Sequence, residues 1–167
     1  MPMYRKLFVF LAVAAVAHLA SALTYGKVSL ICPIDGESFE TTLAMSGTQA
    51  GQFIDLKPYG PIAAPWPIAK CPTSGFVMYK KPFTEDELAV LKPYVAGAEY
   101  QALQHTETNY YLAARLQRVL KAPDETIAFT LLRASWEAQG RDQYVVYANE
   151  ALVAFKDLGE QTPTHRK

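Results

Sequence analysis

The 167-residue chain lacks the short motifs that announce a reaction. It has no Gly-x-Ser-x-Gly, no His-Glu-x-x-His, no phosphate-cradling glycine loop and no Cys-x-x-Cys, so the usual marks of serine hydrolases, zinc peptidases, nucleotide sites and dithiol redox sites are missing. Net charge is missing too, since sixteen basic residues face sixteen acidic ones. A nucleic-acid face needs concentrated Lys and Arg. The one basic cluster is His165-Arg166-Lys167 at the C-terminus, and no nucleic-acid partner is expected. Cysteine is nearly absent, with Cys32 and Cys71 alone in the chain. Beyond residue 22 no apolar run is long enough to span a bilayer.

One apolar run is present, at the N-terminus. Arg5 and Lys6 precede Leu7 to Ala20, and Ala20-Ser21-Ala22 closes the run as a small-x-small site, the form of a secretory signal cleaved after Ala22. Fourteen residues at about 1.5 Å each reach about 21 Å, short of a hydrocarbon core of roughly 30 Å, which weakens the rival reading of an uncleaved anchor. Leu23, not Cys, follows the site, so a lipid-modified N-terminus is not indicated. Cleavage takes away Arg5 and Lys6 and no acidic residue. Fourteen basic and sixteen acidic residues then leave a formal charge of −2. Residues 23–167 suffice for one ordinary domain or two small modules sharing a core.

Composition changes near Pro82. Residues 23–82 carry many prolines and glycines between short β-forming runs, and Lys27–Ile31, Ser38–Met45, Ile68–Lys70 and Phe76–Lys80 read as short strands. Residues 83–160 turn helical. Thr84-Glu85-Asp86-Glu87 has the form of a capping box, opening a short helix that Pro93 should stop. Leu112, Leu116, Val119 and Leu120 share one helical face, as do Ile127, Leu131, Ala134 and Ala138. A last helix, capped by Asp142 and ended by Gly159, carries Tyr144, Tyr147, Ala148, Ala151, Leu152 and Phe155. Residues 161–167 read as a flexible tail. A shift of 36 residues lays Tyr111, Leu112, Leu116 and Val119 on Tyr147, Ala148, Leu152 and Phe155, the pattern of a tetratricopeptide-type hairpin with a capping helix. An ordinary antiparallel bundle is the alternative. The expected fold class is α+β, a small zinc-ribbon-like β module followed by an antiparallel, tetratricopeptide-like helical region.

Two pentapeptides match, Cys32-Pro33-Ile34-Asp35-Gly36 and Cys71-Pro72-Thr73-Ser74-Gly75. Each has the frame of a zinc-ribbon knuckle, Cys-Pro-x-Cys-Gly, with Asp35 or Ser74 where the second cysteine would stand. With Gly47-Thr48, Asp55, Tyr59, Tyr110-Tyr111 and Ala134-Ser135-Trp136, these knuckles resemble the bacterial family known as domain of unknown function 2225. That family couples such a ribbon to a tetratricopeptide-like region and supplies no activity to carry over. The resemblance covers most of residues 23–167. It implies that the two knuckles face one another, and an exported chain would meet an oxidising compartment. A Cys32–Cys71 disulfide is therefore expected. A metal site using Asp35, or two free thiols, are the alternatives; Ser74 is a poor ligand and only His105 and His165 remain to replace it.

The resulting expectation is an exported bacterial envelope protein, periplasmic or secreted. It would bind a protein or peptide partner, with no cofactor, no metal and no membrane span after cleavage. Tyr110, Arg115, Arg118 and Tyr144 are the candidate contacts. A structural subunit of an envelope assembly is the second reading. An enzyme is the third and weakest, for which a Cys71–His105 nucleophile pair would be the imaginable centre.

Overall fold

The computed structural model describes residues 23–161. The signal sequence expected at 1–22 and, apart from Gln161, the tail expected at 161–167 with its basic cluster lie outside them. Alternation of apolar and polar residues makes the first hairpin: β1 (Thr24–Ile31) pairs antiparallel with β2 (Ser38–Ser46) in the register Lys27↔Thr42 and Ile31↔Ser38. Val28, Leu30, Phe39 and Leu43 are half-buried while Lys27, Ser29, Glu40 and Thr42 face water, as period-two geometry requires. A second, two-residue pairing joins β3 (Gly51–Gln52) to β4 (Pro58–Tyr59). The strands expected at Ile68–Lys70 and Phe76–Lys80 shrink to one bridge, Lys70↔Val77. Pro67 and Pro82 bracket that pair and offer no N–H to lengthen a ladder. Phe76 and Val77, consecutive and both fully buried, also break the alternation a strand would need.

Five helices follow among the described residues: α1 (Glu85–Ala96), α2 (Ala98–Thr106), α3 (Asn109–Val119), α4 (Asp124–Glu137) and α5 (Arg141–Gln161). The capping box opens α1, with the Glu87 N–H donating to Thr84 Oγ1 at 3.2 Å and the Thr84 N–H to Glu87 Oε2 at 2.9 Å. Pro93 does not stop this helix, which continues to Ala96. Leu91 and Val95 on either side of it are buried, and that packing offsets a proline penalty of about 3 kcal/mol. α2 was not expected, because Tyr100 and Leu103 are too few to make a periodic stripe. α5 starts one residue before Asp142, which therefore sits in the first turn rather than at the cap. Its backbone stays helical through Gly159. Within the stripe assigned to α5, Tyr147 and Ala151 are buried, but Tyr144 is 45% and Leu152 66% exposed.

Apolar burial joins the two halves. Cys32, Cys71, Phe76 and Val77 share a core with Leu91, Val95, Tyr100, Leu112 and Leu116, so the change of composition at Pro82 is not a gap in packing. A second cluster forms among Ala114, Ile127, Leu131 and Ala151, flanked by Tyr111 and Phe155. No helix among the described residues is long and apolar enough to cross a membrane.

Candidate functional site

The two knuckles are built alike. In each, the cysteine N–H donates to the carbonyl of the residue after the glycine, Cys32 to Glu37 O and Cys71 to Phe76 O at 2.8 Å in both cases. The glycine N–H returns to the cysteine carbonyl, Gly36 at 2.9 Å and Gly75 at 3.1 Å. That turn puts both glycines in the left-handed region, φ +77° and +69°, which glycine adopts without strain. Cys32 and Cys71 meet sulfur to sulfur at bonding distance, with α-carbons 5.7 Å apart, and both are buried.

Asp35 and Ser74 take different places. Ser74 Oγ lies 3.5 Å from Cys32 Sγ, whereas exposed Asp35 turns to its own knuckle and accepts from the Glu37 N–H at 3.0 Å. Glu37 in turn accepts from the Thr73 N–H at 3.2 Å, tying one knuckle to the other. Among the described residues no group of three His, Cys, Asp or Glu side chains is placed to hold a metal ion. Cys71, buried and against Cys32, is not poised as a nucleophile, and His105 is solvent-exposed.

The four candidate contact residues do not make one surface. Tyr110 and Arg115, five residues apart, point about 140° apart around α3. The Tyr110 hydroxyl donates to Trp66 O at 2.9 Å and its N–H to Glu137 Oε2 at 2.8 Å. Arg115 pairs with Glu99, and Arg118 Nη2 donates to Glu150 Oε2 at 2.9 Å. Tyr144 lies on α5 and is exposed.

A trough runs where the second knuckle's arm meets α3 and α4. Its centre, about 460 Å³, is lined by Ile68 and Tyr79 from the arm, Tyr110 and Gln117 from α3, and Phe129, Thr130 and Arg133 from α4. A cavity of about 380 Å³ shares Ile68, Tyr79 and Tyr110 and reaches Trp66, Lys80 and Lys81. Another of about 200 Å³ shares Phe129 and Arg133 and reaches Gln52, Leu56 and Trp136. Two of these lining residues each carry a buried side-chain atom without a hydrogen-bond partner, Gln117 Oε1 and Trp136 Nε1. Burial, with Glu87 adding to it, pushes the Tyr79 hydroxyl up to about 12. Burial also raises Tyr110, against the opposing pull of Arg133, so both phenols are neutral donors at physiological pH. Of these wall residues Tyr110 alone is among the contacts expected from sequence. Gln117 carried a signal, a polar residue between the apolar positions Leu116 and Val119.

Comparison of the chain with protein-family models, with curated proteins and with solved structures finds no match in any of the three.

Proposed function

We propose that the protein is an exported component of the bacterial envelope that holds an extended peptide or protein segment in the trough between the second knuckle and α3–α4. The observation that carries this reading is that two lining residues, Gln117 and Trp136, each hold a buried polar atom without a partner, the acceptor Oε1 and the donor Nε1, which their side chains would turn outward to meet an occupant. A buried polar atom left unpaired costs about 1–3 kcal/mol. An extended peptide carries both complements, N–H and C=O, along its backbone, while Phe129 and Ile68 offer it apolar contact and Arg133 a charge.

The β module is a zinc-ribbon relative that has exchanged its metal for a Cys32–Cys71 disulfide, in keeping with the matched knuckle turns. Helices α3–α5 form a tetratricopeptide-type stack. In support, Tyr111 and Tyr147, related by the 36-residue shift, stack with ring centroids 4.4 Å apart and planes 15° apart. Relationship to the domain of unknown function 2225 family would follow from both.

A peptide array probed with the purified protein tests the trough. Arg133→Glu and Tyr110→Ala are expected to abolish or redirect binding, whereas Arg115→Glu, outside the trough walls, leaves it. An unchanged set of bound peptides in the two trough variants removes this site.

A further inference from the structure

One face of α5 packs on α3 and α4, and the opposite face carries an apolar patch in water. Tyr147 and Ala151 point inward and are buried, while Val145, Val146, Leu152 and Val153 are 43%, 51%, 66% and 59% exposed. Those four are the residues three and four positions before and after Asn149, which makes them its neighbours on the helix surface. Asn149 is itself exposed. A single exposed aliphatic side chain needs no explanation, but a contiguous apolar patch on a soluble surface marks an interface.

The pattern around Asn149 reads the same in both directions, and its charges do not. Val145 and Val153 are equidistant from Asn149, as are Val146 and Leu152. One turn further out stand Arg141 and Asp142 on the N-terminal side and Lys156 and Asp157 on the C-terminal side. If a second α5 is laid antiparallel across the first with its Asn149 on Asn149, every apolar residue meets an apolar residue. Arg141 then meets Asp157 of the second copy, and Asp142 meets Lys156 of the second copy. A parallel pair would set each charge against its like. The central Asn149 side chains can donate and accept to one another, and a lone polar residue amid apolar ones fixes the register of a helix pair.

We infer that α5 is a homodimer interface in which two copies of the chain pair antiparallel about a two-fold axis passing between their Asn149 side chains. The interface is isologous, as two-fold dimers require, and it leaves the trough between the second knuckle and α3–α4 open in each copy. This goes beyond peptide binding and does not depend on it.

Sedimentation equilibrium of the protein expressed from the full chain and purified without denaturant is the test, with native mass as a second measurement. A concentration-dependent dimer is expected. Leu152→Asp places a charge in the apolar patch and should raise the dimer dissociation constant at least about 100-fold, the scale of one uncompensated buried charge. Arg141→Glu or Asp157→Arg alone should weaken the dimer about 10-fold, from two symmetry-related exposed pairs turned repulsive. The two changes together should restore it to within about 3-fold, because each pair is re-formed with its signs exchanged. Asn149→Cys should give a covalent dimer with a short bis-maleimide. A monomer at all concentrations overturns the inference. So does a dimer that Leu152→Asp and the charge reversals leave unchanged, or one that forms only while residues 1–22 are retained, which would put that segment on the face.

Discussion

The first and second knuckles share a frame, a hydrogen-bonding pattern and a left-handed glycine, yet they live in different surroundings. A methyl group built on Gly36 would meet nothing within 4 Å, whereas one built on Gly75 would fall inside the van der Waals surface of the Gln104 side chain. Tyr100, fully buried, donates to Gly75 O at 3.0 Å, and Gln101 Nε2 reaches Ser74 O at 3.1 Å. The first knuckle's side-chain hydrogen bonds run within itself, between Asp35 and Glu37, and across to the second knuckle, at Thr73 and Ser74. Local sequence therefore dictates the turn in both places. Tertiary packing decides which copy the helices rest upon.

Losing what the knuckles share should have the largest effect. Cys32 and Cys71 are 39 residues apart, and closing a loop of about that length stabilises by roughly 4 kcal/mol in the chain-entropy model. Cys32→Ala with Cys71→Ala should lower the unfolding free energy by about that amount in urea. Mass spectrometry of the protein purified without reductant should find it two hydrogens lighter than the reduced chain and free of stoichiometric zinc. Two alkylatable thiols in that sample would contradict the pairing.

Substituting the glycines should separate the knuckles. Gly36→Ala carries only the cost of a left-handed side chain, about 1 kcal/mol. Gly75→Ala adds a clash with Gln104, whose amide is held by Gln101 at 2.6 Å, and should cost about 3 kcal/mol. Adding Gln104→Ala to Gly75→Ala should recover part of that loss, and equal costs at the two glycines would mean that the helices press on neither knuckle more than the other. Tyr100→Phe tests the same contrast more gently. It leaves Gly75 O without its buried donor and should cost about 1–2 kcal/mol.

Much of this arrangement was legible in the sequence, and unevenly so. The strands β1 and β2 are announced by β-forming runs between Gly and Pro residues, and the helices α3, α4 and α5 by periodicity, because each helix has one face in a core. α2 was not legible: its inner face is held by Tyr100 and by Gln104, a buried polar residue that no apolar stripe can announce. The continuation of α1 through Pro93 was hidden for a related reason, since only tertiary burial of Leu91 and Val95 outweighs the local penalty. Leu152 shows the opposite failure. Its spacing matched a buried stripe, but periodicity places a residue on a face without saying what, if anything, covers it. The trough is less legible still, because residue type can offer Tyr110 as a candidate while the walls it shares with Gln117 and Arg133 arise only when α3, α4 and the second knuckle's arm converge.

The smallest effect is a slope with pH, and it too belongs to the second knuckle's side of the molecule. Glu137, at the end of α4, accepts the Tyr110 N–H at 2.8 Å at the start of α3, beside the trough that the second knuckle's arm lines. Burial raises its carboxyl above the ordinary 4.5, and hydrogen bonds such as that from Tyr110, with the charge of Lys70, offset only part of the shift. A carboxyl whose folded value is raised binds its proton more tightly in the folded state. Its contribution is complete below the unfolded value and is lost as pH rises through the folded one. Glu87, half-buried and paired with Lys80, has its value lowered, chiefly by that hydrogen bond, and acts in the other sense, losing its contribution as pH falls. The native protein therefore shows the sum of two opposed slopes. Glu137→Gln keeps an oxygen for the Tyr110 N–H and removes the titration. Melting temperatures of the native protein and the variant, measured from acid to neutral pH, should diverge steadily in the variant's favour across the window just above 4.5. A constant difference between the two curves would show that Glu137 titrates alike in the folded and unfolded chain, and that its burial against α3 is not felt by its proton.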